Sequence, residues 1–356
     1  STPRAEVFRD VMAWAFKRAD ATPEFHSPTC LVHHGALCTA CADACPHEAI
    51  TITRTVTIDA IDCTGCGLCV VACPSHALAP RTPPPSARDV RCSQVAGDVS
   101  SVPCLARLQA SDLVRMGAAN ERVTLGRGAC ESCAIGSADV PEAVAATIAA
   151  AGALLGVHDQ APEFVVVQVE RLDPSVDPRA LTRRDLFRVG WGQMKQAGGV
   201  ALGPLEKLAP DEPRGAVDRP PLPAEHQRRL RALEVAELAT EDPVPFPLPA
   251  VADGCIFCPA CTRVCPTDAI RRAFDDAPEA APTGGVGGRP AHGPMRIELE
   301  ADRCVGCAAC VDVCPVHVIT MRPTVPWGEV VGGVRTVATS TPRRFEGDEP
   351  VARDAS

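Results

Sequence analysis

No stretch of about 18 consecutive apolar residues occurs in this chain of 356 residues, so a membrane-spanning helix is not expected. Positive charge is also in short supply. The net charge is −9, and a nucleic-acid partner, which would need basic patches against phosphate, is not expected. The opening residues STPRAEVFRDVMAWAFKRAD are charged throughout and have no apolar signal core. No Walker motif and no G-x-G-x-x-G after a strand are found, and GGVGGRP at 284–290 lacks the final glycine. Nothing suggests a nucleophile–base pair, so no catalytic residue is assigned. Tyrosine is absent, whereas proline (35) and glycine (27) are abundant. With 46 % hydrophobic residues, that balance suits packed cores with long wrapping loops better than disorder.

What the chain does have is 20 cysteines. Such a number means disulfides or metal. Disulfide-dense proteins are mostly small and secreted, and a chain long enough for two or three domains is not of that kind. The expectation is metal-bound thiolates in a reducing compartment, the cytoplasm. Three runs repeat the pattern C-x2-C-x2-C-x3-C-P: Cys63, Cys66, Cys69, Cys73; Cys255, Cys258, Cys261, Cys265; and Cys304, Cys307, Cys310, Cys314. A fourth run has Cys38, Cys41, Cys45 and Pro46 but Gly35 where the first cysteine would stand; Cys30 lies five residues earlier. The similarity continues past the cysteines, as CPHEAI, CPSHAL, CPTDAI and CPVHVI, with an aliphatic residue in sixth place. VTIDAID and RIELEAD, before the second and fourth runs, alternate like short strands. The repeat therefore reads as strand, cysteine loop and short helix, used in two pairs.

These runs resemble the bacterial two-cluster ferredoxin over roughly residues 28–82 and 251–323. Soft thiolates select iron–sulfur or zinc, and twelve-residue runs with four thiolates over-supply zinc. The resemblance implies [4Fe-4S] clusters, each taking three cysteines from one run and the fourth from its pair. One cluster would take Cys63, Cys66, Cys69 and Cys45. A second would take Cys255, Cys258, Cys261 and Cys314, and a third Cys304, Cys307, Cys310 and Cys265. For the irregular copy the set is Cys30, Cys38, Cys41 and Cys73, on a lengthened loop. His33 or His34 as a ligand competes with Cys30; the plain reading of both histidines is as solvated loop residues, which leaves Cys30 as the ligand.

Cys92, Cys104, Cys130 and Cys133 remain, all in one segment. DVRCSQ and RVTLGRG read as strands that end at cysteines. ARLQASDLVRMGAA and PEAVAATIAAAGALLG read as helices, the second with Pro141 near its start. EFVVVQVE is a continuous apolar run, as expected of a buried parallel strand. Cysteines at the carboxyl ends of such strands would meet in one crevice. The strand-end cysteine, the Pro-Cys before a helix and the closing C-x2-C resemble the delta subunit of methyl-viologen-reducing hydrogenases. That family implies a [2Fe-2S] cluster on these four thiols; zinc and free thiols are the alternatives.

The expected fold is α+β: two ferredoxin-like modules flanking a small doubly wound α/β domain, with long wrapping connectors. The boundaries are an N-terminal helix at 1–27, a first module at 28–86, the α/β domain at 87–171, a helical and proline-rich connector at 172–250, a second module at 251–323 and a tail at 324–356. The N-terminal helix carries an apolar stripe of Phe8, Val11, Met12, Ala15, Phe16 and Ala19. In LTRRDLFRVG the plain reading is a helix capped by Thr182, not an export signal. AEHQRRLRALEVAELA is expected as a helix and DPVPFPLPA as an extended strap. The expected function is single-electron relay within an oxidoreductase complex. Its partners would be larger subunits: a molybdenum or tungsten enzyme, a nickel–iron hydrogenase or a heterodisulfide-reductase-like assembly. A redox sensor, a cofactor-assembly protein and an enzyme with an open-site cluster are the alternatives.

Overall fold

The computed structural model describes residues 22–95, 100–169, 219–274 and 294–340. The stripe expected over residues 8–19, the stretch 181–190, the loop 284–290 and residues 341–356 lie outside them. The chain divides into two compact units, Ser1–His33 with Leu37–Glu237, and His34–Ala36 with Leu238–Ser356. Each is described by itself.

The first unit begins with β1 (Glu24–Phe25), α1 (Ala40–Asp43), β2 (Ile50–Ile52), β3 (Val56–Ile58), α2 (Leu68–Ala72) and β4 (Leu78–Ala79). β1 pairs antiparallel with β4, and β2 with β3. The short helices lie inside the cysteine loops, carrying Cys41 and Cys69, rather than after them as the sequence suggested. After each Cys-Pro the chain turns once and leaves as a strand. The fourth residue of that turn has left-handed backbone in all four copies: Glu48, His76, Asp268 and His317, with φ between 50° and 53°. The sixth residue, Ile50, Leu78, Ile270 or Ile319, lies in the strand that leaves and is buried. The aliphatic position legible in the repeat is thus the anchor of each outgoing strand.

The middle domain follows with β5 (Asp89–Cys92), β6 (Ser100–Val102), α3 (Ala110–Ala119), β7 (Arg122–Arg127), α4 (Val140–Gly156) and β8 (Glu163–Gln168). All pairs are parallel, in the order β6-β5-β7-β8. Helices α3 and α4 pack on each other, so they share one face of the sheet, over the buried Val90, Val123 and Leu125. The doubly wound arrangement is not what is seen: among the described residues no helix covers the opposite face. The physical reason is the strand order, in which both helical crossovers, β6 to β7 and β7 to β8, travel in one direction and a right-handed connection then returns to one face. β8 is an edge strand, with Val166 and Val167 exposed, and not the buried strand its apolar run suggested. Further along, α5 (Ala224–Glu234) packs on α3 and α4; it ends before the residue 239 expected.

The second unit holds β9 (Pro243–Val244), β10 (Leu248–Val251), α6 (Ala260–Val264), β11 (Ile270–Phe274), β12 (Met295–Glu300), α7 (Ala309–Asp312), β13 (Ile319–Arg322), β14 (Val325–Pro326), α8 (Trp327–Val331) and β15 (Val334–Thr339). β10 pairs with β13, as β1 does with β4. β11 pairs with β12, as β2 does with β3. The strap at 242–250 is therefore partly a strand of this module, and its prolines suit short edge pairs. Residues 324–340 are not a loose tail. β14 pairs with β9, α8 follows, and β15 adds to β12 as a third strand. The carboxylate of Glu329 on α8 joins Arg322 on β13 (Nη1–Oε1 3.1 Å) to Arg335 on β15 (Nη1–Oε2 2.9 Å).

Candidate metal centres

In the first module the thiols of Cys45, Cys63, Cys66 and Cys69 line one cavity, together with Ile50, Ile58 and Gly67. In the second unit Cys265, Cys304, Cys307 and Cys310 line a cavity together with Ile270 and Leu299. Each cage takes three thiols from one run and one from its pair. Cys73 and Cys265, the fourth cysteines of their runs, stand at the extended backbone that ends their helices and leads the chain away from its own loop.

Cys30 lies within electrostatic reach of Cys73 and Cys38, and Cys41 within reach of Cys73, Cys38 and Cys30. The irregular loop thus brings its distant cysteine to the other three. It does so through two turns of 3-10 helix, Ser27–Thr29 and Leu31–His34, with Cys30 at their junction. The backbone N–H groups of Val32 and His33 point at the Cys30 sulfur. In the second unit Cys261 lies near Cys258 and Cys255 and shares a buried core with Cys314.

Cys92 ends β5, Cys104 follows β6, and Cys130 and Cys133 follow β7. All four line one cavity with Pro103, Leu105, Arg127 and Val140. This is the crevice at the carboxyl ends of the parallel strands β5, β6 and β7. Backbone N–H groups of Ile135 and Gly136 donate to the Cys133 sulfur at 3.4 and 3.3 Å, and Arg127 Nη1 donates to Cys130 at 3.8 Å.

Burial decides the chemistry of these thiols. Desolvation pushes Cys104 and Cys310 up to about 12, and Cys41, Cys261 and Cys307 to about 11. Cys69 and Cys304 are pushed up as well, again mainly by burial and then by neighbouring thiols. Several thiolates persist in one buried cage only against a positive charge at its centre. Cys314 is the exception: burial raises it, but backbone N–H groups of Val318, Val316, Ile319 and His317 outweigh that and hold it below its ordinary value. Among the described residues no three His, Cys, Asp or Glu side chains converge as ligands of one ion do. The thiols stand around cavities instead, which fits a core of several irons with bridging sulfides.

The first module docks on the middle domain by groups that the cysteine spacing does not announce. Thr64 Oγ1 and His47 Nε2 both donate to the Ile135 carbonyl, at 2.7 and 2.9 Å. Arg107 Nη1 donates to the Gly65 carbonyl at 3.4 Å. A Cβ on Gly67, whose φ is +88°, would meet Arg107 Cα at 2.6 Å. The only sequence signal for Arg107 is a charge inside the apolar run VPCLARLQA, three residues after Cys104.

No curated protein and no solved structure matches the chain. A family model described as a 4Fe-4S dicluster domain matches residues 36–77 and again 254–318. The first match begins after Cys30, so the lengthened loop lies outside it, and both leave the middle domain uncovered. The matched segments hold every cysteine of the four regular and irregular runs except Cys30, and the chain therefore carries two ferredoxin-type 4Fe-4S dicluster modules, of the kind that implies electron transfer.

Proposed function

We propose that this chain is the polyferredoxin subunit of an oxidoreductase complex and relays single electrons between a catalytic subunit and a carrier. One observation carries the reading: in the first unit three cysteine cages follow one another. Cys69 of the inner cage is within electrostatic reach of Cys41 of the outer one, and Cys66 within reach of Cys104 of the middle domain. Iron–sulfur clusters supply reversible one-electron chemistry when bound. Cys30, Cys38, Cys41 and Cys73 would hold one [4Fe-4S] cluster, and Cys45, Cys63, Cys66 and Cys69 a second. Cys255, Cys258, Cys261 and Cys314 would hold a third, and Cys265, Cys304, Cys307 and Cys310 a fourth. Cys92, Cys104, Cys130 and Cys133 would hold a [2Fe-2S] cluster. The apolar side chains around each cage exclude water, and N–H groups aimed at sulfur set how readily a centre is reduced.

The gathering of Cys30 with Cys38, Cys41 and Cys73 supports a fully ligated outer centre over an open-site enzyme. The partner would be a molybdenum or tungsten enzyme, a nickel–iron hydrogenase or a heterodisulfide-reductase-like assembly, in the cytoplasm. Iron and acid-labile sulfide on anaerobically purified chain test the cofactor reading. About 18 irons with a distinct two-iron EPR signal is expected; about 16 would make the middle set zinc-bound or structural. Purification of the native chain as a lone monomer would count against the subunit role.

A further inference from the structure

We propose that Arg107 is a shared counter-charge for two redox centres, a positioning residue that holds one guanidinium between the inner cage of the first module and the cage of the middle domain. The inference rests on the cluster reading above and adds to it which centres are electrically linked.

Arg107 is only 7 % exposed. Its backbone N–H bonds the Cys104 carbonyl at 3.2 Å, so it stands directly behind a ligand of the middle cage. Its side chain crosses to the other module and reaches the Gly65 carbonyl, between Cys63 and Cys66. Gly67, between Cys66 and Cys69, has no side chain, and Arg107 packs its Cα and Cγ into that space. The charged groups acting on it most strongly are Cys63, Cys66 and Cys69 on one side and Cys104 on the other. A guanidinium stays charged at any working pH, and a buried one is retained only against negative charge. Four thiolates around an iron–sulfide core carry net negative charge, and each added electron increases it. A cation fixed between two such cores favours the reduced form of both. It acts far less on the outer cage of Cys30, Cys38, Cys41 and Cys73, none of which is among its main charge partners. Arg127, bonded to Cys130, adds a second cation on the middle cage alone.

The experiment is an EPR-monitored redox titration of the full chain, purified anaerobically, with iron and sulfide measured on the same samples. Wild type is compared with Arg107→Gln and Arg107→Lys. Loss of the charge in Arg107→Gln is expected to make the inner and middle centres harder to reduce by tenfold or more in the reduced-to-oxidised ratio at fixed potential. That is ~59 mV for a one-electron couple. The outer centre serves as internal reference and stays in place, and Arg107→Lys stays near wild type. Unmoved midpoints in Arg107→Gln, or equal shifts in both variants, would overturn the proposal. If Arg107→Gln loses iron while Arg107→Lys keeps it with native midpoints, the charge is what is needed and the proposal stands; if both lose iron, Arg107 is a packing residue and it fails. Should wild type itself lack a middle centre, that part of the functional reading fails independently, and the inner midpoint alone decides on Arg107.

Discussion

Cys30 is separated from Cys38 by a loop that no other copy of the repeat has, yet its thiol is buried beside Cys38, Cys41 and Cys73. Replacing it with serine is expected to remove one cubane, about four irons per chain, with the other centres kept. Iron analysis checks this, and an unchanged content would move the ligand role to another residue. Glu329 gives a second test at this scale. Hydrogen bonds from Arg322 and Arg335 hold its carboxyl down at about 2 against an ordinary 4.5. Its folded pKa is depressed, so its contribution is fully present above about 4.5 and is lost as pH falls towards about 2. Hydrogen exchange of the β15 amides should accelerate across that window in the wild type relative to Glu329→Gln at the same pH. Parallel pH profiles for the two proteins would show that the ion pair does not secure β15. Arg107 marks the limit of reading at this scale. Cysteine spacing announces a ligand set because metal geometry is local in sequence, whereas a buried counter-charge is defined by what arrives opposite it.

At the scale of elements, α5 is fixed by one carboxylate. Glu225 is 3 % exposed and accepts from the Ser111 N–H at 3.2 Å, from the Ser111 hydroxyl and from Arg229 Nε at 2.8 Å. Arg228 joins from the same helix, bonding Ser111 Oγ at 2.9 Å and Gln109 Oε1 at 2.8 Å. The clamp therefore ties α5 to the first turn of α3, where Gln109 and Asp112 already form a capping box. Glu225→Ala would take the carboxylate from Arg229 and Arg228 and the acceptor from the Ser111 hydroxyl. Removing one partner of a buried pair costs ~3–5 kcal/mol, and the partial exposure of both arginines lowers the expectation to about 2 kcal/mol. Denaturant unfolding of the wild type and variant checks it; a change below about 0.5 kcal/mol would show that α5 is held by apolar packing alone. Helix α5 was legible from its own residues, but its clamp, across more than a hundred residues of chain, was not. β8 went astray for a related reason: an apolar run says that a strand wants cover, not whether a neighbour supplies it. From sequence β15 reads as tail, because its polar alternation suits one-sided pairing and its partner β12 lies well upstream.

At the scale of the whole molecule, the two modules obey one rule. Their β1–β4 and β10–β13 pairs, their hairpins and their left-handed turns after Cys-Pro correspond one to one. That correspondence was visible in the cysteine runs and the aliphatic sixth positions, which is why both modules could be drawn from sequence. The thiols raised by burial are protonated at neutral pH, so loading the apo-chain must expel those protons. Reconstitution in weak buffer is expected to release about one proton for each thiol that burial raises and to become less favourable as pH falls. A pH-stat trace during iron and sulfide addition measures it; no proton release would mean that the thiols were already ionised in the empty cages.

The exchange of fourth cysteines between paired runs also has a meaning in time. A chain made from its N-terminus exposes Cys30, Cys38, Cys41 and Cys45 first, yet none of these completes a cage. The inner cage gains its last thiol at Cys69 and the outer one at Cys73, a single helical turn later. In the second unit Cys310 and Cys314 close the two cages in the same quick succession. The two cages of each module thus become complete within four residues of each other, near the end of the synthesis of that module.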